Sequence, residues 1–430
     1  MLPVVTVIME LAGLTVIKAS GTEEISNILA TALIFIFSIA FIIFVQNQKK
    51  LSKYRNNITI GYLIRLFLLF FDLFGNSIYV LPNSGADAEM FYQNAIAYMN
   101  TGHTSRGIYP EVMGILFRHI GTNRLYAQFL SMLCSVVALI YTAFIFEEFD
   151  ILDCYKERIY RIIALLPNFA ILSSIFIREA PITMFLTLSF LNFVKWFKDD
   201  GEIYFLFAVM LVLPAAALHS GTIAAIGGYI VAHLIYDKRN GILFLRFGNI
   251  IVTIIFVFAF TYFISNYGES FMGKFSGVDS IDDIANTNVR GGSSYARYVG
   301  NSNNPFNLVI YTIPRIVFFL FSPFPWQWRS ISDIIAFFFS AMYYITAIWK
   351  MYNYIRSTKS ENHTDIILFT IVALVIAFVF AWGTSNTGTA ARHRDKLVTI
   401  FSCILLLSYG KKEKVKQNET PVLSASKYIR

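Results

Sequence analysis

Residues 26–45 read SNILATALIFIFSIAFIIFV, twenty positions without one charged side chain. An α-helix rises about 1.5 Å per residue, so a run of this length crosses the roughly 30 Å of hydrocarbon in a bilayer. In lipid the backbone must satisfy its own polar groups, and a helix does so within the segment. Similar apolar runs recur along the chain. They predict spans near 1–17, 26–45, 59–82, 123–146, 160–175, 180–197, 203–218, 220–236, 247–265, 332–349, 364–383 and 397–409. The composition agrees: 56% of the 430 residues are hydrophobic, 17% are aromatic and only 14% are charged, against about 25% charged in soluble domains. The expectation is an all-α, polytopic transmembrane bundle of about twelve spans. It forms one domain over 1–410, with a polar cytoplasmic tail at 411–430.

The net charge of +8 sits in short connections, where lysine and arginine set topology, so it does not point to nucleic acid. Lys49, Lys50, Lys53 and Arg55 form one basic connection, and Lys156, Arg158 and Arg161 the next. Lys195 with Lys198, Lys238 with Arg239, Lys350 with Arg356 and Lys359, and the lysines after Gly410 continue the series. These alternate with the other connections and belong in the cytoplasm by the positive-inside rule. Both termini are then cytoplasmic, and 83–122, 267–306 and 383–395 lie outside. The apolar start, Met1 to Ile17, lacks the basic n-region and cleavage motif of a signal peptide. The segment 308–325, LVIYTIPRIVFFLFSPFP, would upset the alternation if it crossed; Pro314, Arg315 and the aromatic run after it fit an interfacial or re-entrant segment on the outer side.

The outer connections gather the residues that carry chemistry. Asp87 and Glu89 open an amphipathic pattern in which Phe91, Ala95, Tyr98 and Met99 recur at helical spacing. Two compatible readings fit them: carboxylates favouring a helix N-terminus, or a catalytic carboxylate that activates an acceptor hydroxyl or holds a divalent metal on a phosphate. Arg178 and Glu179 form a charged pair between strongly apolar flanks, where ions are costly and often functional. Arg392 and Arg394, two apart in ARHRD, have two readings: both face a pyrophosphate, whose oxygens the planar guanidinium matches, or they form a basic juxtamembrane cluster that binds lipid headgroups. Arg290 and Arg297 lie among glycines and tyrosines in VRGGSSYARY, suited to a loop that closes over a sugar-phosphate. Arg315 adds positive charge on the same side. His103 and His219 are lone histidines, read first as structural hydrogen-bonders.

Other chemistries leave no trace. Cys134, Cys154 and Cys403 lie far apart, with no Cys/His cluster for zinc. There is no Walker A, GxGxxG, HExxH or GxSxG motif, which argues against an ATP-driven pump and a soluble-type hydrolase. Charges inside the spans are rare, Asp72 and Arg65 being the exceptions.

The motifs DAEMFY at 87–92, Tyr109-Pro110, Arg178-Glu179, SPFPW at 322–326 and ARHRD at 391–395 resemble those of a known class. Over about residues 60–410 the chain is similar to bacterial polytopic glycosyltransferases of the GT-C type and to the Wzy-type repeat-unit polymerases of capsule and O-antigen. The resemblance implies transfer from a polyprenyl-phosphate or polyprenyl-pyrophosphate sugar to a glycan acceptor at the outer face of the cytoplasmic membrane. It implies roles for Asp87, Glu89 and Glu179 as competing catalytic carboxylates, and for Arg178, Arg392 and Arg394, with Arg290, Arg297, Arg315, His103 and Tyr109, in binding the sugar-phosphate. No cofactor beyond a divalent metal is suggested. The alternative is a lipid-linked oligosaccharide transporter, which would set polar groups at midplane on broken helices.

Overall fold

A computed structural model describes residues 22–198, 201–238, 240–243, 305–357, 362–384 and 386–410, with scattered positions between 6 and 18, residue 251 and residues 294 and 295. The described chain is a helical bundle. Its one sheet pairs Tyr236–Asp237 with Ile242–Leu243 in antiparallel register.

Among the described residues six helices are long and apolar enough to cross a membrane. They are α1 (Glu23–Asn47), α2 (Arg55–Phe74), α5 (Arg124–Glu147), α8 (Glu179–Phe197), α12 (Ile331–Arg356) and α13 (His363–Trp382). Local chemistry starts them. Thr22 Oγ1 accepts from Ile25 N, and Glu23 and Glu24 meet the positive end of α1. Asn123 Oδ1 caps α5 through Tyr126 N at 2.8 Å, while its Nδ2 reaches Ser26 Oγ at 2.8 Å and ties α5 to α1. The outer face of α1 exposes Ile28, Phe35, Ile39 and Ile43, an apolar stripe that water would not tolerate and hydrocarbon would cover.

Three expected spans take other forms. The one at 59–82 ends at Phe74, and the chain from Gly75 to Gly85 runs through turns. The one at 160–175 is two helices, α6 (Asp153–Leu165) and α7 (Pro167–Ser174), because Pro167 has no N–H to continue the ladder and begins a helix afresh. The last is α15 (Val398–Leu407), wholly buried at the centre of the bundle. The helices α9 (Glu202–Leu218), α10 (Ala224–Ile235) and α11 (Pro305–Phe321) are apolar but shorter. The span predicted at 247–265 lies outside the described residues, apart from residue 251.

Between α2 and α5 the connection at 83–122 is not an open loop. It holds α3 (Ala86–Thr101) and α4 (Ile108–Ile120), packed together. Gly114 permits the contact: a Cβ there would come within 2.7 Å of Ala95 O. Arg118 crosses from α4 to the carbonyls of Tyr98 and Met99 at the end of α3, at 3.1 and 3.2 Å.

Side-chain contacts sort the connections into two ends. Lys53, after α1, pairs with Glu147 and Asp153 between α5 and α6, at 3.0 and 2.9 Å. Lys198 at the foot of α8 meets Asp365 at the start of α13, at 3.0 Å. Tyr155 stacks on Tyr409, and Lys350 lies over the same ring. The basic connections of the sequence therefore share one end. The opposite end collects Asp87, Arg178, the turn at Leu218–His219 and the helix α14 (Thr387–Arg394). On that half α11 also makes its contacts: Thr312 with Trp382, and Leu320 and Ser322 with Arg394.

Two charged residues of α2 are buried in the bundle. Arg65 of α2 is buried, donating to Gly61 O and Ala164 O at 3.0 and 2.9 Å beneath the Phe169 ring. The Ala164 carbonyl belongs to the last turn of α6, so Arg65 bonds to backbone that the break at Leu166 sets free. Asp72, two turns further along α2, accepts from Ser84 Oγ and from Gln128 Nε2 at 2.9 Å.

Candidate functional site

At the end opposite the basic connections, Arg392 joins two carboxylates. Its Nη1 lies 2.6 Å from Asp87 Oδ2 and its Nε lies 3.1 Å from Glu179 Oε1. Glu179 is the first residue of α8, where the helix dipole favours a carboxylate. A single guanidinium thus links the first turn of α3 to the first turn of α8. Lys396, one turn beyond Arg392, brings its Nζ to 3.8 Å from the same Glu179 oxygen. Arg178 lies over Phe91 at 5.6 Å and donates through Nη1 to Leu218 O at 2.7 Å.

Two histidines close the cluster. Lys396 Nζ is 2.8 Å from His393 Nδ1, and the rings of His393 and His219 meet edge to face at 4.6 Å. His219 Nδ1 accepts from Gly221 N at 3.2 Å, so this nitrogen carries no proton. The two carboxylates differ in access: the Asp87 side chain is 47% exposed and that of Glu179 5%.

Burial sets the electrostatics. Burial works against the charge on Arg392, and the Glu179 and Asp87 carboxylates outweigh it, holding the guanidinium above its ordinary range. Burial, with Lys396 and His219 beside it, pushes the His393 imidazole well below its usual value. Lys396 is brought down to about 7, chiefly by burial and then by the neighbouring arginines, against the pull of Glu179. With Lys396 protonated, Arg178, Arg392 and Lys396 outnumber Asp87 and Glu179 by one positive charge. The site favours an anion.

That gives a pH dependence with a definite sign. Lys396 is cationic below about pH 7 and neutral above it. An anion bound beside it should dissociate more readily as pH rises from 6 to 8, as the local charge falls. Binding of inorganic phosphate followed across that interval checks this. The slope should shrink in Lys396→Met, leaving the part that belongs to Asp395, whose carboxyl burial raises to about 6, and an undiminished slope would assign the effect elsewhere.

The structure places Arg394 apart from Arg392. ARHRD is not a loop but the end of α14, begun by Asn386, whose Oδ1 accepts from Gly388 N and Thr389 N at 2.9 and 3.3 Å. Residues two apart on a helix point in nearly opposite directions. Arg394 turns away from Arg392 and is fully buried, donating to Leu320 O at 3.1 Å, Ser322 O, Ala336 O at 3.0 Å and Ser340 Oγ at 2.8 Å. It clamps the end of α11 to α12. Its neighbour Asp395 is held by Asn168 Nδ2 at 2.7 Å and Ser340 Oγ at 3.3 Å, and burial raises its carboxyl to about 6. Arg394→Ala leaves those carbonyls without their donor and takes a nearby positive charge from Asp395. A loss of about 3–5 kcal/mol follows from breaking such a buried network, seen as a large drop in detergent-solubilised thermal stability.

Glu89 also leaves the cluster. It faces Arg124 at 2.8 Å and Gln93 at 2.7 Å, and its side chain is 51% exposed. Exposed pairs contribute about 1 kcal/mol or less, so Glu89→Gln should leave stability near wild type, checked by thermal unfolding of the detergent-solubilised protein. Neither Asp87 nor Glu89 makes a side-chain capping bond; they occupy the first turn of α3.

Tyr109 is buried behind the site, against Phe91 at 5.5 Å and Phe176 at 5.7 Å. It supports the ring beneath Arg178. His103 lies exposed in the turn after α3; the 14 helical steps from Asp87 to Thr101 carry that turn about 21 Å along the axis from Asp87. Arg315 is buried over the Trp382 ring at 4.3 Å. Arg290 and Arg297 lie outside the described residues. Among the described residues no three His, Cys, Asp or Glu side chains are grouped to hold a metal ion.

Lys396 and His393 are functional candidates that sequence reasoning passed over. Their signal was the helical spacing of Arg392 and Lys396, which puts both cations on one face. No family model, curated protein or solved structure matches the chain.

Proposed function

We propose that the protein is a polytopic membrane glycosyltransferase or repeat-unit polymerase. Its donor is a polyprenyl-phosphate- or polyprenyl-pyrophosphate-linked glycan and its acceptor a second glycan. The reaction takes place at the outer face of the cytoplasmic membrane. The observation that carries this reading is the link from Arg392 to Asp87 and Glu179 with Arg178 and Lys396 alongside, at the end away from the basic connections. Arg178 and Arg392 bind the donor phosphates and stabilise the charge that grows on them as the glycosidic bond breaks. Asp87, the accessible carboxylate, takes the proton of the acceptor hydroxyl. Glu179 is the buried counter-ion that holds Arg392 in position. The segment at 308–325 stays on the outer half in this reading, as an interfacial element.

The test is turnover by the purified protein in liposomes, with a polyprenyl-pyrophosphate oligosaccharide as donor and acceptor. Elongated glycan with release of the polyprenyl carrier supports the reading. A second reading, a lipid-linked glycan transporter, draws on Arg65 buried beside the helix break at Leu166. Transbilayer movement of the donor without elongation would favour it and overturn the first.

A further inference from the structure

The break between α6 and α7 holds a buried charge. Arg65 is fully buried and stands eleventh among the 20 residues of α2, about 15 Å along the axis from either end. Its guanidinium sits at the break. Nη1 donates to Ala164 O, just before the break, at 2.9 Å and to Gly61 O at 3.0 Å. Cζ lies 4.8 Å from the centre of the Phe169 ring, just after it. The other edge of the fork, Nε and Nη2, has no partner among the described residues. The N–H bonds on that edge point the same way, the arrangement with which arginine grips an anion.

Among the described residues no carboxylate balances this charge. Asp72 is the one acidic residue of α2. It lies seven residues on, about 10 Å along the axis, and is taken by Ser84 and Gln128. Tyr160, close by, sends its hydroxyl to Leu139 O at 2.9 Å. An arginine does not shed its proton in a protein, and a buried charge is costly unless an opposite one accompanies it. The two carbonyls satisfy N–H groups but bring no net charge, and water on the free edge would do no more. An anion does both.

A second element favours an anion at the same place. The eight-residue helix α7 begins at the break with Pro167, so its positive end meets the region. Phe169, the ring against Arg65, is the third residue of that helix. The ligand is small, because the wall around the guanidinium is close: a Cβ on Gly61 would come within 3.2 Å of Ala164 O and 3.4 Å of Arg65 Nη1. It is monovalent, because one formal charge needs balancing and a phosphate dianion would bury an excess of its own.

We propose that the Nε–Nη2 edge of Arg65 binds a small monovalent anion of the chloride class at the break between α6 and α7. The ion fastens α2 to the two halves of the broken helix. The assignment does not depend on the glycan-transfer reading.

The experiment measures radioactive chloride bound by the purified protein in detergent and gluconate buffer, with thermal unfolding on the same samples. Wild type should bind about one chloride per chain saturably and unfold at a higher temperature in chloride than in gluconate. Bromide and nitrate should displace the ion, and inorganic phosphate should not. Arg65→Gln should weaken binding at least tenfold and abolish the thermal response. The outer cations could also hold chloride, so Arg178→Gln with Arg392→Gln is the control and should bind as wild type does. If Arg65→Gln does not fold, crystals of wild type soaked in bromide decide: the anomalous signal should fall within hydrogen-bonding reach of Arg65 Nε and Nη2. The proposal is overturned by no saturable chloride in wild type, by equal binding in Arg65→Gln, by loss in the outer double variant instead, by displacement with phosphate, or by bromide absent from Arg65.

Discussion

Arg392→Lys is expected to lower turnover by about 10²–10³-fold, the range for removing a preorganised donor from a developing oxyanion, with membrane insertion unchanged. The reason is geometric. Arg392 reaches Asp87 with Nη1 and Glu179 with Nε, so two edges of one planar group hold two helices in register. A lysine keeps the charge and presents one point of it. It can serve Glu179 or Asp87 but not both, and Lys396 already lies 3.8 Å from Glu179. The substitution releases Asp87 and removes the second nitrogen that would meet a phosphate. The measurement is product per correctly inserted protein. Full activity would reduce Arg392 to a structural tie.

Asp87→Asn should cost about 10²–10⁴ in rate, the usual contribution of a positioned base, with donor binding close to wild type. An amide keeps the size of the side chain and one oxygen for Arg392, and it still suits the first turn of a helix. It does not take a proton. Asp87 is preferred to Glu179 because of access: 47% against 5% of the side chain is open. Glu179→Gln would instead free Arg392 from its buried partner and weaken donor binding as well as turnover. Equal and normal turnover in Asp87→Asn would return the base to Glu179.

The long helices were legible because each rests on one local property, a run of apolar residues of bilayer length. Helix ends were less so. At 59–82 the stop is Gly75, with Asn76 and Ser77 after it, a helix-ending signal that a reading of apolar length alone passes over, as Pro167 marks the split between α6 and α7. Arg178 and Glu179 stood out as charges among apolar flanks, and Asp87 and Arg392 as charges on outer connections; the fold joins Arg392 to Asp87 across 305 residues of chain. What sequence could not separate was Arg392 from Arg394. Reading ARHRD as a loop let both face one ligand; its helical geometry sends one to the cluster and buries the other. Glu89 is set apart from Asp87 by the same helical geometry. Two residues on from Asp87, it lies on another face of α3 and meets Arg124.

The central claim is that the Arg178–Arg392 cluster receives the phosphates of a lipid-linked donor. Its most direct test is the affinity of purified protein for polyprenyl pyrophosphate, compared among wild type, Arg178→Gln, Arg392→Gln and Arg124→Gln. Arg124 serves as the control cation, since its partner is Glu89 outside the cluster. The account predicts binding in wild type and Arg124→Gln and at least a tenfold loss, about 1.4 kcal/mol, in each of the other two. Equal affinity in all four proteins, or no binding in any, would contradict it.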